Sequence, residues 1–296
     1  MTLRIDETEI GTWTRSTHSG NTFAYARYGT NIGRQVPEGR HKLRGIAEYQ
    51  DGSTRSTEIA IVLDRQFDDP QTAPESQAAI LFAGRGTTGR KLALTQDGKR
   101  GNTELHLEST DELRVGDCVF IDGPATPRWK KLTRNACQWG MYRNYEAVIT
   151  GIEDRVVRLG QPLRVEFPVI DGSYVQKVTP IQRCGVEDLA LEQTENLWIT
   201  SVLFSHGWNC WARGVTIRKC GRFPIYGSMA KWCEIRDCVF DDAWFKGGGG
   251  TAYAGWDRCW DCLMENVETF RMRHGPLFQW AASGCVIRKS VFHESD

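Results

Sequence analysis

The stretch Cys233-Glu-Ile-Arg-Asp-Cys-Val-Phe240 decides the fold. Cys233 and Ile235 share one face by strand alternation, Arg236-Asp237 interrupts, and Cys238 and Phe240 resume that face after a phase slip. Two short strands therefore meet at a two-residue bend. The same pattern, Cys followed by largely apolar residues at plus two, plus five and plus seven, starts again at Cys184, Cys210, Cys262 and Cys285, and the intervals along the chain are 26, 23, 29 and 23 residues. A unit of this length holding short apolar strands cannot bury its own face and must stack on its neighbours, so the sequence predicts a solenoid.

At plus four stand Asp188, Gly214, Asp237 and Asn266, residue types that tolerate a left-handed backbone, with Lys289 the exception. A further apolar strand precedes each later Cys: Ser201–Phe204, Phe223–Tyr226, Thr251–Ala254 and Pro276–Gln279. Each coil thus has three strands. The pattern over residues 181–296 resembles the right-handed parallel β-helix of the pectin-lyase-like superfamily, whose coils carry a short Asn-type bend between the second and third strands. That resemblance implies a carbohydrate-active protein, a polysaccharide or glycan as partner, and an extracellular or periplasmic setting.

Composition narrows the remaining choices. Lys plus Arg equals Asp plus Glu, 37 against 37, so no basic surface for nucleic acid or an anionic membrane is expected. The N-terminus enters a strand-like pattern directly, without an export signal, and no apolar stretch reaches 18 residues. Ten cysteines would suggest a disulfide framework, but five fall at one structural position and read as an internal ladder of small apolar side chains. Cys259-x-x-Cys262 is a lone pair with no partner set, so no metal site is expected from it.

Residues 1–66 read as alternating strands. The segment from Val36 to Thr54 gives a Pro-Glu-Gly turn, a strand and an Asp51-Gly52 turn, and Glu58–Leu63 closes the hairpin. It resembles the last two strands of the bacterial immunoglobulin-like modules attached to carbohydrate-active enzymes. Asp68–Ser76 reads as a linker. Residues 67–180 read as a β-rich insert capping the first coil, and residues 181–296 as the β-helix. The fold class is thus all-β: an immunoglobulin-like β-sandwich, a small β insert or cap, and a parallel β-helix. The fifth copy breaks off at Phe292–Asp296 without a capping element, which reads as a fragment or one end of a longer protein.

In the superfamily it resembles, the groove runs along the first strand of each coil and the loops that enter it. Here those loops follow the plus-seven residue. They supply Arg218, Lys219 and Arg222 from one coil, Asp241, Asp242, Trp244 and Lys246 from the next, then Arg271, Arg273 and His274, and finally His293, Glu294 and Asp296. Coils stack about 4.8 Å apart, which brings equivalent residues into charge-coupling range. Asp241, Asp242, Lys246, Arg273 and His274 are the expected catalytic set, and Trp244, Trp256, Arg222, Arg271, His206 and His293 the expected substrate contacts.

Two reactions fit these residue types. A polysaccharide lyase acting on an acidic polysaccharide needs a base such as Lys246 or His274 and a cation on the substrate carboxylate, Arg273 or calcium held by Asp241 and Asp242. A glycoside hydrolase needs carboxylates across the bond, Asp241 and Asp242 with Asp296 or Glu265. A non-catalytic glycan-binding or adhesin-like β-helix is the alternative. Gly247–Gly250 can let a backbone approach a ligand, and the Arg- and Trp-rich segment Pro127–Arg143 is a second candidate loop.

Overall fold

The computed structural model describes residues 2–12, 39–49, 51–63, 78–136, 142–247 and 250–295. The chain divides into two units, Met1–Gln77 and Ala78–Asp296. In the first, β1 (Thr2–Ile5), β2 (Thr8–Thr12), β3 (Gly39–Glu48) and β4 (Thr54–Leu63) form one antiparallel sheet in the order β2-β1-β3-β4. The expected hairpin is β3–β4, paired without a slip from Gly39↔Leu63 to Glu48↔Thr54. Its turn is closed by the Tyr49 amide, which donates to the Ser53 carbonyl at 2.8 Å, and by Asp51, which accepts from the Ser53 amide and hydroxyl. An immunoglobulin-like sandwich requires a second, facing sheet, and this unit has a single sheet among the described residues. The linker Asp68–Ser76 lies outside them.

The second unit is a parallel β-solenoid. Its first sheet holds β5 (Ala78–Ala83), β15 (Thr200–Ser205), β19 (Ile225–Ser228), β21 (Ala254–Asp257) and β23 (Pro276–Gln279). The second holds β13 (Gly185–Glu187), β17 (Trp211–Arg213), the first half of β20 (Glu234–Ala243), the first half of β22 (Leu263–Phe270) and β24 (Val286–Arg288). The third holds β14 (Ala190–Glu192), β18 (Thr216–Cys220), the second halves of β20 and β22, and β25 (Val291–Phe292). Register follows the cysteines: Gly185, Trp211, Glu234, Leu263 and Val286, each one place after its Cys, stand side by side.

All five plus-four residues are left-handed, with φ between 51° and 63°, and Lys289 adopts this conformation as readily as Asp237. The coil also turns at three further left-handed rows. Arg183, Asn209, Trp232 and Asp261 occupy minus one, His206, Met229 and Arg258 minus four, and Lys219, Asp242, Arg271 and Glu294 plus nine. Side chains other than Gly and Asn cost energy in this region. They are held there by the strands on both sides, whose ladders fix the corner regardless of its residue.

Inside the coils Cys210, Cys233 and Cys262 are buried, while Cys184 and Cys285, at the two ends, are half-buried. Beyond the first coil each sulfur reaches a carbonyl of the preceding coil, Cys233 Sγ that of Gly207 at 3.2 Å and Cys262 Sγ that of Ala230 at 3.7 Å. Burial pushes the Cys233 and Cys262 thiols well above their ordinary range, so they stay protonated and inert. A thiol reagent on native protein is expected to modify Cys184 and Cys285 well before Cys233 or Cys262, read by mass spectrometry of peptides. Equal rates would contradict this burial order.

Residues 84–180 are inserted in the first coil rather than placed before it. Strand β5, which sequence reading put with the insert, pairs in parallel with β15 from Thr200↔Ala78 to Ser205↔Ala83. Periodicity missed this because nearly a hundred residues separate β5 from β12 (Ile181–Gln182), where the coil resumes. A side chain at Gly84, where the chain leaves the coil, would meet the His206 carbonyl at 2.6 Å and the Ile181 amide at 2.7 Å. Exit and return touch at this glycine.

The insert contains β6 (Gly86–Ala93), β7 (Glu104–His106), β8 (Cys118–Asp122), β9 (Asn144–Glu153), β10 (Val156–Leu159) and β11 (Tyr174–Thr179), antiparallel in the order β6-β11-β8-β9-β10-β7. A bridge between Leu94 and Leu107 joins the two edges, closing a small barrel. Its core, with Leu105, Val119, Ile121 and Phe167, continues into Met229 and Trp260 of the solenoid. The barrel therefore packs along the flank of successive coils. The first coil's Val186, Leu189 and Leu191 are only half-buried, so a cap over that end, as expected from sequence, is not what the insert provides.

Candidate functional site

The corner after the third sheet collects charge from successive coils. Strand β20 runs through its bend at Asp237 to Ala243, which sets Asp241 beside Arg218 on one side and Phe270 on the other. The Arg271 guanidinium reaches back one coil to Asp241 Oδ1 at 2.6 Å, and Lys246 Nζ lies 2.6 Å from Asp242 Oδ1. Burial pushes the Asp242 carboxyl up, but the bonds from Lys246 and the Ala243 amide outweigh it and hold the group below its ordinary value. Asp242 is thus an ionised partner of Lys246, the opposite of what a general acid needs.

Beside these pairs the loop lifts aromatic rings out of the coil. Trp244 is 38 % exposed and Phe245 41 % exposed. The Trp244 indole donates to the Gln193 carbonyl at 2.8 Å, and Lys219 Nζ lies 5.2 Å from its ring. Arg222 stacks over Trp198 at 5.6 Å, and Trp198 meets Phe245 at 5.7 Å. Thr251 Oγ1 sits 3.1 Å from the carbonyls of Phe245 and Arg222, closing the base of the loop. Gly248 and Gly249 lie outside the described residues.

The expected catalytic residues fall into two groups. Asp241, Asp242 and Lys246 meet Arg271 at the corner, whereas Arg273 and His274 lie further along the connection towards the first sheet. There the His274 ring is 5.9 Å from that of Tyr253, and its amide donates to the Ala252 carbonyl. His293 stacks on Phe270 at 4.6 Å and faces Glu268 at 3.0 Å on the outside of the third sheet.

Several expectations need correction. Trp256, expected to contact substrate, is fully buried: it points inward from β21 among Cys259, Phe204 and the rest of the core. The strand runs Ala254–Asp257 rather than the expected Thr251–Ala254, so Trp256, read as lying beyond the strand, stands within it on the inner face. Glu265, a candidate hydrolase carboxylate, lies in the second sheet with Arg236 at 2.6 Å, Arg288 at 2.9 Å and Lys289 at 3.2 Å. The bonds from Arg288 and then Arg236 bring its carboxyl down to about 2. It does not join Asp241 and Asp242. Asp296 lies outside the described residues.

In the second candidate loop Arg128 and Arg143 prove structural. Helix α1 (Pro127–Leu132) starts at Thr126, whose hydroxyl caps the Trp129 amide. Arg128 makes two bonds to the buried carboxylate of Asp171, Arg143 adds another at 2.9 Å, and together they hold that acid far below its usual range. Trp139 lies outside the described residues.

His206, expected in the groove, instead faces the barrel. Its Nδ1 is 4.0 Å from Oε1 of Glu146, a fully buried carboxyl whose Oε2 accepts from the Trp208 indole at 2.5 Å. Alongside, the fully buried Lys231 ammonium is bonded to Asp261 at 2.9 Å and lies 4.4 Å from the Tyr145 ring, and Arg164 binds the same Asp261. No local motif announces this network. Its one legible trace is Lys231, a charged residue two places before an inward cysteine, where alternation predicts an inward side chain.

A scan against protein-family models finds no match, and neither does a search of curated proteins. Among solved structures, the chain is similar to the gp54 tailspike of Acinetobacter baumannii bacteriophage AP22, solved in complex with A. baumannii capsular saccharide, with a TM-score of 0.41, 12 % identity, and 72 % of this chain and 34 % of that one covered. It is also similar to the gp49 tailspike of Pseudomonas phage LKA1, with a TM-score of 0.39, 10 % identity, and 68 % and 47 % covered. The gp61 tailspike of Pseudomonas phage phi297 gives a TM-score of 0.36, 10 % identity, and 70 % and 34 % covered. The chain thus spans between a third and a half of the length of these tailspikes.

Proposed function

We propose that the corner after the third sheet binds an anionic polysaccharide and promotes its cleavage by β-elimination. The observation that carries this reading is the pairing of exposed aromatic rings with an excess of cations. Trp244 and Phe245 stand out of the loop, and Arg218, Lys219, Arg222, Lys246 and Arg271 gather at the same corner against Asp241 and Asp242. Flat rings suit pyranose faces, and guanidinium and ammonium groups suit uronate carboxylates.

In β-elimination a base removes the proton next to the uronate carboxylate. The C–H electron pair becomes the new double bond, and the glycosidic oxygen leaves with its bonding pair and takes up a proton. His274 or Lys246 would take the first proton, with Arg273 neutralising the carboxylate. Lys246, an ammonium while paired with Asp242, could take that proton only after releasing both the carboxylate and its own proton to solvent. The pectin-lyase-like relationship and an immunoglobulin-like role for the N-terminal sheet belong to the same proposal, supported by the three-strand coil and by the β3–β4 hairpin.

The test is a panel of acidic and neutral polysaccharides assayed for binding, for unsaturated products and for new reducing ends. Unsaturated product from an acidic polymer is expected, with Lys246→Ala or His274→Ala slowing release about a hundredfold at unchanged thermal midpoint. Reducing ends without unsaturation would replace elimination by hydrolysis. Failure of every acidic polymer to bind would remove the proposal.

A further inference from the structure

On the outer face of the second sheet, away from that corner, a cleft of ≈ 380 Å³ runs across successive coils, and a shallower hollow continues it past Asn209 and Trp232. Its floor is Trp211, whose indole lies flat across the preceding coil. A side chain at Gly185 would meet that ring at 2.4 Å, so only glycine allows this approach. The ring is also fixed in its plane: Nε1 donates to Glu187 Oε1 at 2.7 Å, and Arg213 holds the other oxygen of the same carboxylate at 2.9 Å. One face is covered and the edge is tied, while the residue stays half-exposed.

The second ring is equally set. Trp232 sits at a left-handed corner with φ 53°, edge-on to the buried Trp208 at 5.3 Å and with Lys231 Nζ 4.7 Å from its ring. Glu234, the ladder neighbour of Trp211, lines the same cleft, its side chain 43 % exposed, with Arg236 3.6 Å away. A ring held immobile before the ligand arrives loses little conformational entropy on binding.

We infer that this cleft is a second saccharide site, one that takes an uncharged sugar segment by stacking pyranose faces on Trp211 and Trp232 and hydrogen-bonding hydroxyls to Glu187 and Glu234. The charge pattern chooses the ligand. Arg213 bonds Glu187 at 2.9 Å, and Arg236, whose outer nitrogen is on Glu265, lies 3.6 Å from Glu234, so the cleft offers acceptors and donors without the excess of cations found at the other corner. An anionic chain gains nothing here over a neutral one, whereas sugar hydroxyls can donate to the lone pairs that Trp211 and Arg213 leave on Glu187 and to the part-exposed carboxylate of Glu234.

The experiment is saturation-transfer NMR and calorimetric titration of the whole chain with neutral hexasaccharides, namely cellohexaose, mannohexaose, maltohexaose and chitohexaose, and with hexagalacturonate as the charged comparison. At least one neutral hexasaccharide is expected to bind, and Trp211→Ala and Trp232→Ala should each weaken it tenfold or more. Glu234→Ala, a surface change that leaves both rings in place, should weaken it several-fold. Trp211→Phe, which keeps a ring over Gly185, should recover part of the loss and guards against a misfolded alanine variant. Trp244→Ala should leave neutral-sugar binding unchanged, which separates this site from the anionic one. The inference is overturned if none of the four neutral sugars binds, or if bound sugar is insensitive to Trp211, Trp232 and Glu234 substitutions.

Discussion

Replacing Glu146 with glutamine will stabilise the protein in alkali, by on the order of 5 kcal/mol above pH 8. Burial pushes the Glu146 carboxyl up from 4.5 to about 8, against the opposing bond from the Trp208 indole. The folded protein therefore keeps a proton that the unfolded chain releases near pH 4.5. Stability from this group is full below pH 4.5 and is lost as pH rises through 8, at about 1.4 kcal/mol per pH unit. His206, 4.0 Å away, works in the other direction. Burial, and then the charge of Arg258, bring it from 6.5 down to about 4, so its contribution is lost as pH falls from 6.5 through 4. Between pH 4.5 and 6.5 the two slopes cancel and stability should be flat, with a fall of about 2 kcal/mol from pH 6.5 to 8. In Glu146→Gln the alkaline fall should vanish, leaving a rise up to pH 6.5 and a plateau above it. Urea unfolding followed by circular dichroism from pH 4 to 9 measures both curves. Superimposable profiles would show that the carboxyl is ionised in the folded state.

How much of this was legible depended on whether the signal was local. The five cysteine-led copies, the bend at plus four and the β3–β4 hairpin follow from alternation and turn residues, because the ladder at Gly185, Trp211 and Glu234 repeats what each coil says by itself. The left-handed rows at plus nine, minus one and minus four were hidden. Asn209, Asp261 and Gly284 leave a partial trace at minus one, but ladders on both sides impose the corners equally on Lys219, Trp232 and Arg258, whose types carry none. Strand β5 was misplaced because its partners lie beyond a whole inserted barrel. At the site, spacing brought Asp241 and Arg271 to the same corner across about thirty residues of chain, and they pair. Spacing could not say that Trp256 faces inward, or that Arg128 and Arg143 are occupied by Asp171, because those facts arise from packing between elements far apart in sequence.

Asp261→Ala is expected to cost about 3–5 kcal/mol, the penalty for stranding a buried charge. Lys231 is fully buried between the solenoid and the barrel. Its ammonium has Asp261 at 2.9 Å, the Tyr145 hydroxyl at 3.4 Å and the rings of Tyr145 and Trp232 within 5 Å. Burial already pulls the Lys231 ammonium below its ordinary value even with Asp261 present. Without that carboxylate the cheapest response is to lose the proton. A lysine depressed in the folded state contributes stability that is lost as pH falls below its unfolded value, so the variant should be weakest in acid and recover towards alkaline pH. Arg164, more than a third exposed, can turn its guanidinium to water and add little to the penalty. Lys231→Met in the Asp261→Ala background should then restore most of the loss, because an apolar chain of similar length fills the space between Tyr145 and Trp232 without a charge to solvate. Denaturant midpoints of the wild type, both single variants and the double variant give the coupling directly. A single-variant cost under about 1 kcal/mol, or a double variant no better than Asp261→Ala, would mean that water reaches Lys231 and that the barrel is not sealed against the coils.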